Sequence, residues 1–286
     1  MSEQSFADQI LHCTTRIECI LPDNTKSTGS GFFFNFKIGE QNVPTIVTNK
    51  HVIANAIQGK LRFTVCDKDW QVIPNKFHDI NITNFEKAWI LHPEEDVDIA
   101  IMPTQPLHLQ FDTEETKLFR RSFNKDLIAS PDQLNDLTAI ENVIMVGYPN
   151  GIWDQVNNLP LVRRGITATA AYNDYNGKKE FMIDMACFPG SSGSPVLLYN
   201  PGMYQEKGGG TVVGTRIYLL GILYAGPQHT AEGKLEIVDI PTTQTVRPIS
   251  RIPNNLGLVI KAEKLNDFES ILENLINKEK NKLHIT

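Results

Sequence analysis

Most of the apolar residues in this chain occur in short runs, rich in β-branched and aromatic residues, that polar residues, proline or glycine separate. In the first half these runs are TTRIECIL, GSGFFFNF, PTIVTNKHVI, LRFTVCD, KAWILH and VDIAIMP. Runs of this length and composition predict β-strands. The first half of the chain is therefore predicted to consist of short strands joined by turns.

The second half repeats the pattern after a less regular connection at about 104–137. Its runs are NVIMVGYP, LVRRGITATAAY, KEFMIDMAC, SPVLLY, TVVGTRIYLLGILYAG, KLEIVDIP and LGLVIKAE. Strands at short intervals with glycine and proline turns favour antiparallel barrels or sandwiches. Within the connection, residues 113–123 are compatible with one or two helical turns.

The end of the chain has a different period. Apolar residues recur at helical spacing, at Leu265, Phe268, Ile271, Leu272, Leu275 and Ile276. This spacing predicts an amphipathic helix whose apolar stripe packs against a barrel.

Composition narrows the class of function. The 286 residues are 41% hydrophobic, which allows one large domain or two small ones, and the net charge is −6. An acidic chain without a basic cluster disfavours a nucleic-acid or anionic membrane partner. The four cysteines lack disulfide or metal-site spacing, so neither a metal nor a cofactor is expected. Because the first residues lack the pattern of a signal peptide, a cytoplasmic location is expected.

The segment PGSSGSP is the strongest candidate for chemistry, since it places Ser191, Ser192 and Ser194 in one tight turn. A nucleophilic serine needs a base, an acceptor that orients the base, and backbone N–H groups that stabilise an oxyanion. Gly190 and Gly193 flank Ser192 and permit a sharp turn in which the N–H groups of Gly190 and Ser192 converge. Ser192 is therefore the predicted nucleophile.

His51 is the predicted base among seven histidines, because it follows the apolar run TIVTNK at the point where the chain leaves the sheet. Asp98 opens the apolar run DIAIM, where a carboxylate is costly unless it is hydrogen-bonded, as it would be to an imidazole. Asp96 is the less favoured alternative, because it lies further from the apolar run.

Together, GSGFFF, TIVTNKHVI, DVDIAIM, MIDMACFPGSSGSPVLL and GILYAG resemble the chymotrypsin-fold serine peptidases. The closest resemblance is to the bacterial trypsin-like branch that includes the high-temperature-requirement proteases, without their PDZ domain. It implies an all-β fold of two six-stranded antiparallel Greek-key β-barrels with a C-terminal α-helix. It also implies His51 as base, Asp98 as orienting acid and Ser192 as nucleophile, with Gly190 and Ser192 as oxyanion donors.

The resemblance further implies how the chain is divided. Residues 1–125 would form the first barrel lobe, with His51 and Asp98, and residues 126–262 the second, with Ser192. Residues 263–286 would form the helix and tail of the same peptidase domain. The α/β-hydrolase alternative fails, since it requires G-x-S-x-G with the acid and histidine after the serine.

The expected substrate is a protein or peptide. By the resemblance, Ala186 lies at the base of the S1 pocket, which binds the P1 side chain before the scissile bond. Tyr224, Ala225 and Gly226 pair with the substrate backbone. Without an acid at 186, a small or medium apolar P1 residue is expected, although Glu236 or Asp239 would reverse this if either reached the pocket.

The predicted function is that of an intracellular serine endopeptidase, either active as it stands or latent until a partner or ligand activates it. The alternative is a protein of the same fold that grips extended peptides without cleaving them. Oligomeric state is left open by the sequence.

Overall fold

The computed structural model describes residues 5–226, 228–232, 249–253 and 255–283. Nine strands of the first half form one sheet, in the order β5-β4-β1-β2-β3-β7-β6, with β8 beside β4 and β9 beside β2. The strands are β1 (Thr14–Ile20), β2 (Lys26–Ile38), β3 (Gln41–Thr48), β4 (Gln58–Asp67), β5 (Val72–Thr83), β6 (Ile90–Leu91), β7 (Ala100–Pro103), β8 (Thr116–Phe119) and β9 (Phe123–Asn124).

The second half contains a closed barrel of six strands in the order β10-β11-β12-β19-β16-β13, with two separate two-stranded sheets, β14-β15 and β17-β18. The strands are β10 (Asn142–Gly147), β11 (Leu161–Thr167), β12 (Glu180–Asp184), β13 (Pro195–Asn200), β14 (Met203–Gln205), β15 (Thr211–Val213), β16 (Arg216–Ala225), β17 (Gln228–Glu232), β18 (Ile249–Pro253) and β19 (Leu256–Lys261).

Among the described residues there are five α-helices, of which the first precedes β1 and the longest closes the described chain. They are α1 (Phe6–Ile10), α2 (Lys50–Ile53), α3 (Gln105–Phe111), α4 (Pro131–Asn135) and α5 (Phe268–Leu283). A 3-10 helix, Ala262–Asp267, leads from β19 into α5. Leu265, Phe268 and Leu272 are buried in an apolar cluster with strands of both halves. The helix therefore packs on the core through Phe268 and Leu272, as its apolar spacing predicts, but Leu275, predicted for the same stripe, is 41% exposed.

Strand β2 lies between two apolar cores. Successive side chains of a strand face opposite sides. Phe33 accordingly packs in the core of the first lobe, while Phe32, Phe34 and Phe36 pack in the core shared with the second lobe. Because both faces of this strand are covered, its residues can contact the second lobe directly, and this matters for the candidate active site.

The predicted fold class is confirmed, and the structure adds detail to it. The six runs predicted as strands in the first half correspond to β1, β2, β3, β4, β6 and β7, and the strands β5, β8 and β9 are additional. The sheet path of this lobe is open at β5 and β6. The proposed division at residue 125/126 falls between β9 and β10. The predicted strand KLEIVDIP, residues 234–241, lies outside the described residues.

The helical turns considered for residues 113–123 are wrong. Thr116–Phe119 forms strand β8, which pairs antiparallel with β4. Leu118 and Phe119 are buried by this pairing. Backbone hydrogen bonds to an existing strand, together with burial of two apolar side chains, outweigh a weak local helical preference. In the part of the chain that the structure describes, no helix is both long and apolar enough to cross a bilayer.

Candidate active site

His51 and Asp98 meet at one end of the first sheet. Strand β3 ends at Thr48, and the one-turn helix α2 that follows carries His51. Strand β7 begins at Ala100, which pairs with Thr48. Because β3 and β7 are antiparallel neighbours, the residues just after β3 lie beside those just before β7. The sheet thus joins two side chains that are 47 positions apart.

The imidazole of His51 bonds to the carboxylate of Asp98, with 2.5 Å between Nδ1 and Oδ2. The backbone N–H of His51 donates to Oδ1 at 3.1 Å, and the side-chain amide of Asn49 donates to the Asp98 carbonyl at 2.7 Å. A carboxylate at Nδ1 favours the neutral tautomer in which Nε2 carries a lone pair. The pair is therefore arranged so that His51 can accept a proton at Nε2.

Asp96, the alternative acid, does not take part in this contact. Its side chain is 66% exposed and forms an ion pair with Lys178, 3.8 Å between oxygen and nitrogen. The Asp98 side chain is 21% exposed. Of the two carboxylates, the one beside the imidazole is Asp98.

The loop that leads to Asp98 is anchored near the C-terminal helix. His92 is buried, its Nδ1 accepts the backbone N–H of Glu94 at 3.1 Å, and its Nε2 lies 3.1 Å from Oδ2 of Asp267. Since Nδ1 is an acceptor, the proton is on Nε2, which donates to Asp267. Lys264 adds an ion pair to Glu94 at 2.7 Å. The segment before α5 therefore supports the loop that holds the acid.

The turn that carries Ser192 is held by hydrogen bonds to the five consecutive carbonyl groups of residues 188–192. Within the turn, the N–H of Ser191 donates to the Phe188 carbonyl and the N–H of Ser194 donates to the Ser191 carbonyl, both at 3.0 Å. The N–H of Asn150 donates to the Pro189 carbonyl at 2.6 Å. Ser30 donates its hydroxyl to the Gly190 carbonyl at 2.8 Å and its N–H to the Ser192 carbonyl at 2.9 Å. The N–H of Gly193 donates to the Leu223 carbonyl at 2.8 Å. Within the described residues, the N–H groups of Gly190 and Ser192 have no acceptor.

The direction of these two N–H groups follows from the geometry of the peptide bond. In a trans peptide the C=O and the following N–H point to opposite sides. Because the Pro189 carbonyl is directed at Asn150, the N–H of Gly190 is directed away from Asn150. Because the Ser191 carbonyl is directed at Ser194, the N–H of Ser192 is directed away from Ser194. Two unused donors therefore flank the serine, as an oxyanion hole requires.

Position 190 requires glycine. Its φ is +87°, a conformation that residues with a side chain rarely adopt. A Cβ atom there would lie 2.7 Å from the carbonyl oxygen of Tyr148 and 3.1 Å from the backbone nitrogen of Asn150. Glycine thus allows the close approach that directs the first of the two donors.

Of the three serines in the turn, Ser192 is the one that reaches the cavity. Ser191 and Ser194 are buried, and their hydroxyls have no partner among the described residues. The Ser192 hydroxyl donates to the Tyr224 carbonyl at 3.4 Å. Among the described contacts, none joins Ser192 Oγ to His51, so the third contact of a triad is open in this structure.

A cavity of about 440 Å³ joins the two halves of the site. Of the residues singled out from the sequence, its walls include His51, Gly190, Ser192, Tyr224, Ala225 and Gly226. Ala186 does not line it; its neighbours Cys187 and Phe188 do. Spacing along the sequence cannot decide which of several consecutive side chains faces a cavity, and here it is the residue after Ala186.

The walls of the cavity contain no aspartate, glutamate, lysine or arginine side chain. Burial raises the pKa of the Cys187 thiol to about 11, which keeps it protonated at neutral pH. Burial, and next the carboxylates of Glu180 and Asp98, raise the pKa of the Tyr224 phenol. Glu236 and Asp239, which would change this picture, lie outside the described residues. No group of metal-ligating side chains occurs in the described ranges.

Two residues that hold the turn were not predicted from the sequence. Ser30 donates to the turn from the first lobe, and Asn150 donates from the loop after β10. A signal existed for both. Ser30 is a hydroxyl residue inside the apolar run GSGFFF, and Asn150 begins an Asn-Gly pair, which is typical of a tight turn.

Comparison with known families gives one match. Residues 29–202 match the trypsin-like peptidase domain. This range includes His51, Asp98 and Ser192. A comparison with curated protein sequences gave no match.

Several solved structures are similar in shape. An HtrA-type protease, AlgW, with a tripeptide has a TM-score of 0.48 at 16% identity, and the comparison covers 95% of this chain and 64% of that one. A serine endoprotease from Yersinia pestis has a TM-score of 0.47 at 13% identity, with 96% of this chain and 68% of that one covered. The active form of a protease from M. tuberculosis has a TM-score of 0.46 at 13% identity, with 91% of this chain and 80% of that one covered. The chain thus spans less than two thirds of the AlgW chain.

Proposed function

This chain belongs to the family of trypsin-like peptidase domains, and from that premise we propose that it is a serine endopeptidase with Ser192 as its nucleophile. His51 accepts the proton of Ser192 as Oγ attacks the scissile carbonyl. Asp98 keeps the His51 proton on Nδ1 and stabilises the imidazolium that forms. The N–H groups of Gly190 and Ser192 bind the oxyanion.

The reaction then proceeds through an acyl-enzyme. The imidazolium returns its proton to the leaving amine, and water, deprotonated by His51, attacks the ester at Ser192. Carboxylic acid and free serine are the products of this second step. Each step uses a residue in the wall of the same cavity.

The observation that carries the proposal is the pair of unused N–H groups, at Gly190 and Ser192, beside the one accessible serine of the turn. Amide donors left without an acceptor are costly unless water or a ligand reaches them. An oxyanion in the cavity is a ligand of the required charge. A domain that only grips peptides has no need for two such donors beside a hydroxyl.

Activity requires one rotation of the Ser192 side chain, from the Tyr224 carbonyl toward His51. The bond to Tyr224 is long, at 3.4 Å, and therefore weak. Catalytic hydrogen bonds are often open without substrate and tighten when it binds. We place any latency of this chain in that rotation, since the carbonyl groups of the turn are already held.

Reaction with a fluorophosphonate tests the proposal. The folded chain should gain one phosphonate, and peptide mapping should locate it on Ser192 and on neither Ser191 nor Ser194. The chain unfolded in urea is the control and should not react. Failure of the folded chain to react, while it binds an extended peptide, would instead support the non-cleaving alternative.

We further propose that the enzyme prefers a small or medium apolar P1 residue. Cys187, with its protonated thiol, and Leu223 supply uncharged walls, and Gly226 leaves space at the cavity mouth. A Cβ atom at Gly226 would come within 2.8 Å of the Leu256 carbonyl oxygen. In place of the predicted Ala186, we assign the main wall position to Cys187.

A peptide library varied at P1 tests this preference. Alanine, valine and leucine should exceed arginine, lysine and aspartate by about 10- to 100-fold in kcat/KM, because an unpaired charge is costly in an uncharged pocket. Glu236→Gln and Asp239→Asn should leave the profile unchanged. A preference for arginine or lysine that disappears in one of these variants would assign the pocket acid to that residue.

The proposed partner is a protein or peptide substrate, with neither nucleic acid nor a membrane involved. We place the enzyme in the cytoplasm, where thiols stay reduced. All four cysteines are unpaired in the structure, and Cys13, Cys19 and Cys66 are buried. Protein substrates fit the open cavity beside the end of β16, where an extended backbone can pair with Tyr224–Gly226.

A further inference from the structure

Ser30 is a polar residue of the first lobe that is completely buried against the second. It lies on β2 between Gly29 and Gly31, with 0% of its surface exposed. A buried hydroxyl is retained at little cost only where it is hydrogen-bonded. Its contacts therefore indicate what it does.

Each polar atom of Ser30 is used, and three of its four hydrogen bonds cross to the second lobe. Its N–H donates to the Ser192 carbonyl at 2.9 Å, and its hydroxyl donates to the Gly190 carbonyl at 2.8 Å. The same hydroxyl accepts the backbone N–H of Tyr148 at 2.9 Å. The fourth bond is within the first lobe, from the Thr48 hydroxyl to the Ser30 carbonyl at 2.7 Å.

The two carbonyls that Ser30 binds belong to the two residues with unused N–H groups. Holding the carbonyls of Gly190 and Ser192 restricts rotation of the 190–191 and 192–193 peptide groups, which are the immediate neighbours of the 189–190 and 191–192 peptide groups that carry the unused N–H groups. Through Tyr148, Ser30 also contacts the loop whose Asn150 N–H holds the Pro189 carbonyl at 2.6 Å. One side chain thus links both supports of the turn.

Close packing leaves this position little freedom. A Cβ atom at Gly193 would lie 2.0 Å from the Ser30 carbonyl oxygen, and one at Gly147 would lie 2.6 Å from the Ser30 hydroxyl. Glycine at both positions allows the backbone of the second lobe to approach Ser30 directly. The arrangement is a fitted contact between the lobes at the nucleophile turn.

We propose that Ser30 is a positioning residue for the oxyanion hole, through which the first lobe sets the orientation of the Gly190 and Ser192 N–H groups. The inference rests on the proposed peptidase function and extends it. Ser30 does not touch the substrate; it acts through the carbonyls it binds. The first lobe thus contributes to stabilisation of the oxyanion through Ser30, and it also supplies His51 and Asp98.

The variant Ser30→Ala tests the inference, since it removes the hydroxyl and keeps the backbone N–H. We expect kcat to fall by about 10- to 100-fold, because a displacement of about 1 Å in a catalytic group can cost about 100-fold. KM should change little. The affinity of a peptide aldehyde, which forms a tetrahedral oxyanion adduct, should fall by the same factor as kcat.

Thr45→Val is the matched control. Thr45 is also buried, on the adjacent strand β3, and its hydroxyl donates to the Phe34 carbonyl at 2.8 Å and not to the turn. It should lower thermal stability as Ser30→Ala does and leave kcat unchanged. Ser30→Cys, of similar volume but with a weaker donor, should fold and give an intermediate kcat.

The outcomes separate the two claims. Suppose that the wild type cleaves peptides and that folded Ser30→Ala either keeps a kcat within about threefold of the wild-type value or shows only a raised KM. Either result would overturn the positioning role of Ser30 and leave the peptidase function intact. Absence of both turnover and fluorophosphonate reaction in the wild type would overturn the proposed function and this inference with it. A parallel fall in kcat and aldehyde affinity, absent in Thr45→Val, supports it.

Discussion

Replacement of Ser192 by alanine is expected to lower kcat by about 10⁴- to 10⁶-fold, the largest effect that we predict for a single substitution. The variant keeps the backbone N–H of residue 192 and removes the attacking oxygen. It also removes the hydrogen bond to the Tyr224 carbonyl, which is long and weak. Folding and KM for a peptide substrate should therefore be little changed.

Cleavage of a fluorogenic peptide, with active sites counted by fluorophosphonate, measures this effect. Ser194→Ala is the matched control, because that hydroxyl lies in the same turn but is buried and has no partner among the described residues. It should retain kcat within about threefold and react fully with the phosphonate. If Ser194→Ala lost activity and Ser192→Ala kept it, the nucleophile would be Ser194, and the assignment to Ser192 would be wrong.

Replacement of Asp98 by asparagine is expected to lower kcat by about 10⁴-fold at neutral pH. The amide can keep an acceptor for the His51 backbone N–H, so the loop should remain in place. Toward Nδ1, however, the amide would donate a hydrogen bond. This favours the tautomer with the proton on Nε2, which cannot accept the proton of Ser192.

Asp96→Asn separates this effect from a general loss of negative charge. Asp96 lies two residues away and contacts Lys178 at the surface, so we expect kcat within about threefold of the wild type. Thermal unfolding of both variants checks that the fold is kept. A greater loss in Asp96→Asn than in Asp98→Asn would show that the wrong carboxylate has been assigned.

Much of the fold could be predicted because most of its strands and its C-terminal helix follow from the local pattern of apolar residues. Runs of β-branched and aromatic residues specify strands, and the helical spacing at Leu265, Phe268 and Leu272 specifies an apolar helix face. The weakest local signal, at 113–123, led to a wrong prediction of helical turns. There the conformation is set by β4, about fifty residues earlier, with Cys66 opposite Lys117.

By itself, the sequence determined the order of His51, Asp98 and Ser192, and the need for glycine in a turn where the backbone must be sharply bent. These are properties of residue type and short-range conformation, which need no partner. Only the tertiary structure decided that Cys187 and not Ala186 lines the cavity and that Ser30 holds a turn 160 positions away, and it places beside the imidazole the acid that the sequence favoured, Asp98. Such choices depend on which distant groups the packed lobes bring within hydrogen-bond distance, and spacing along a chain does not contain that information.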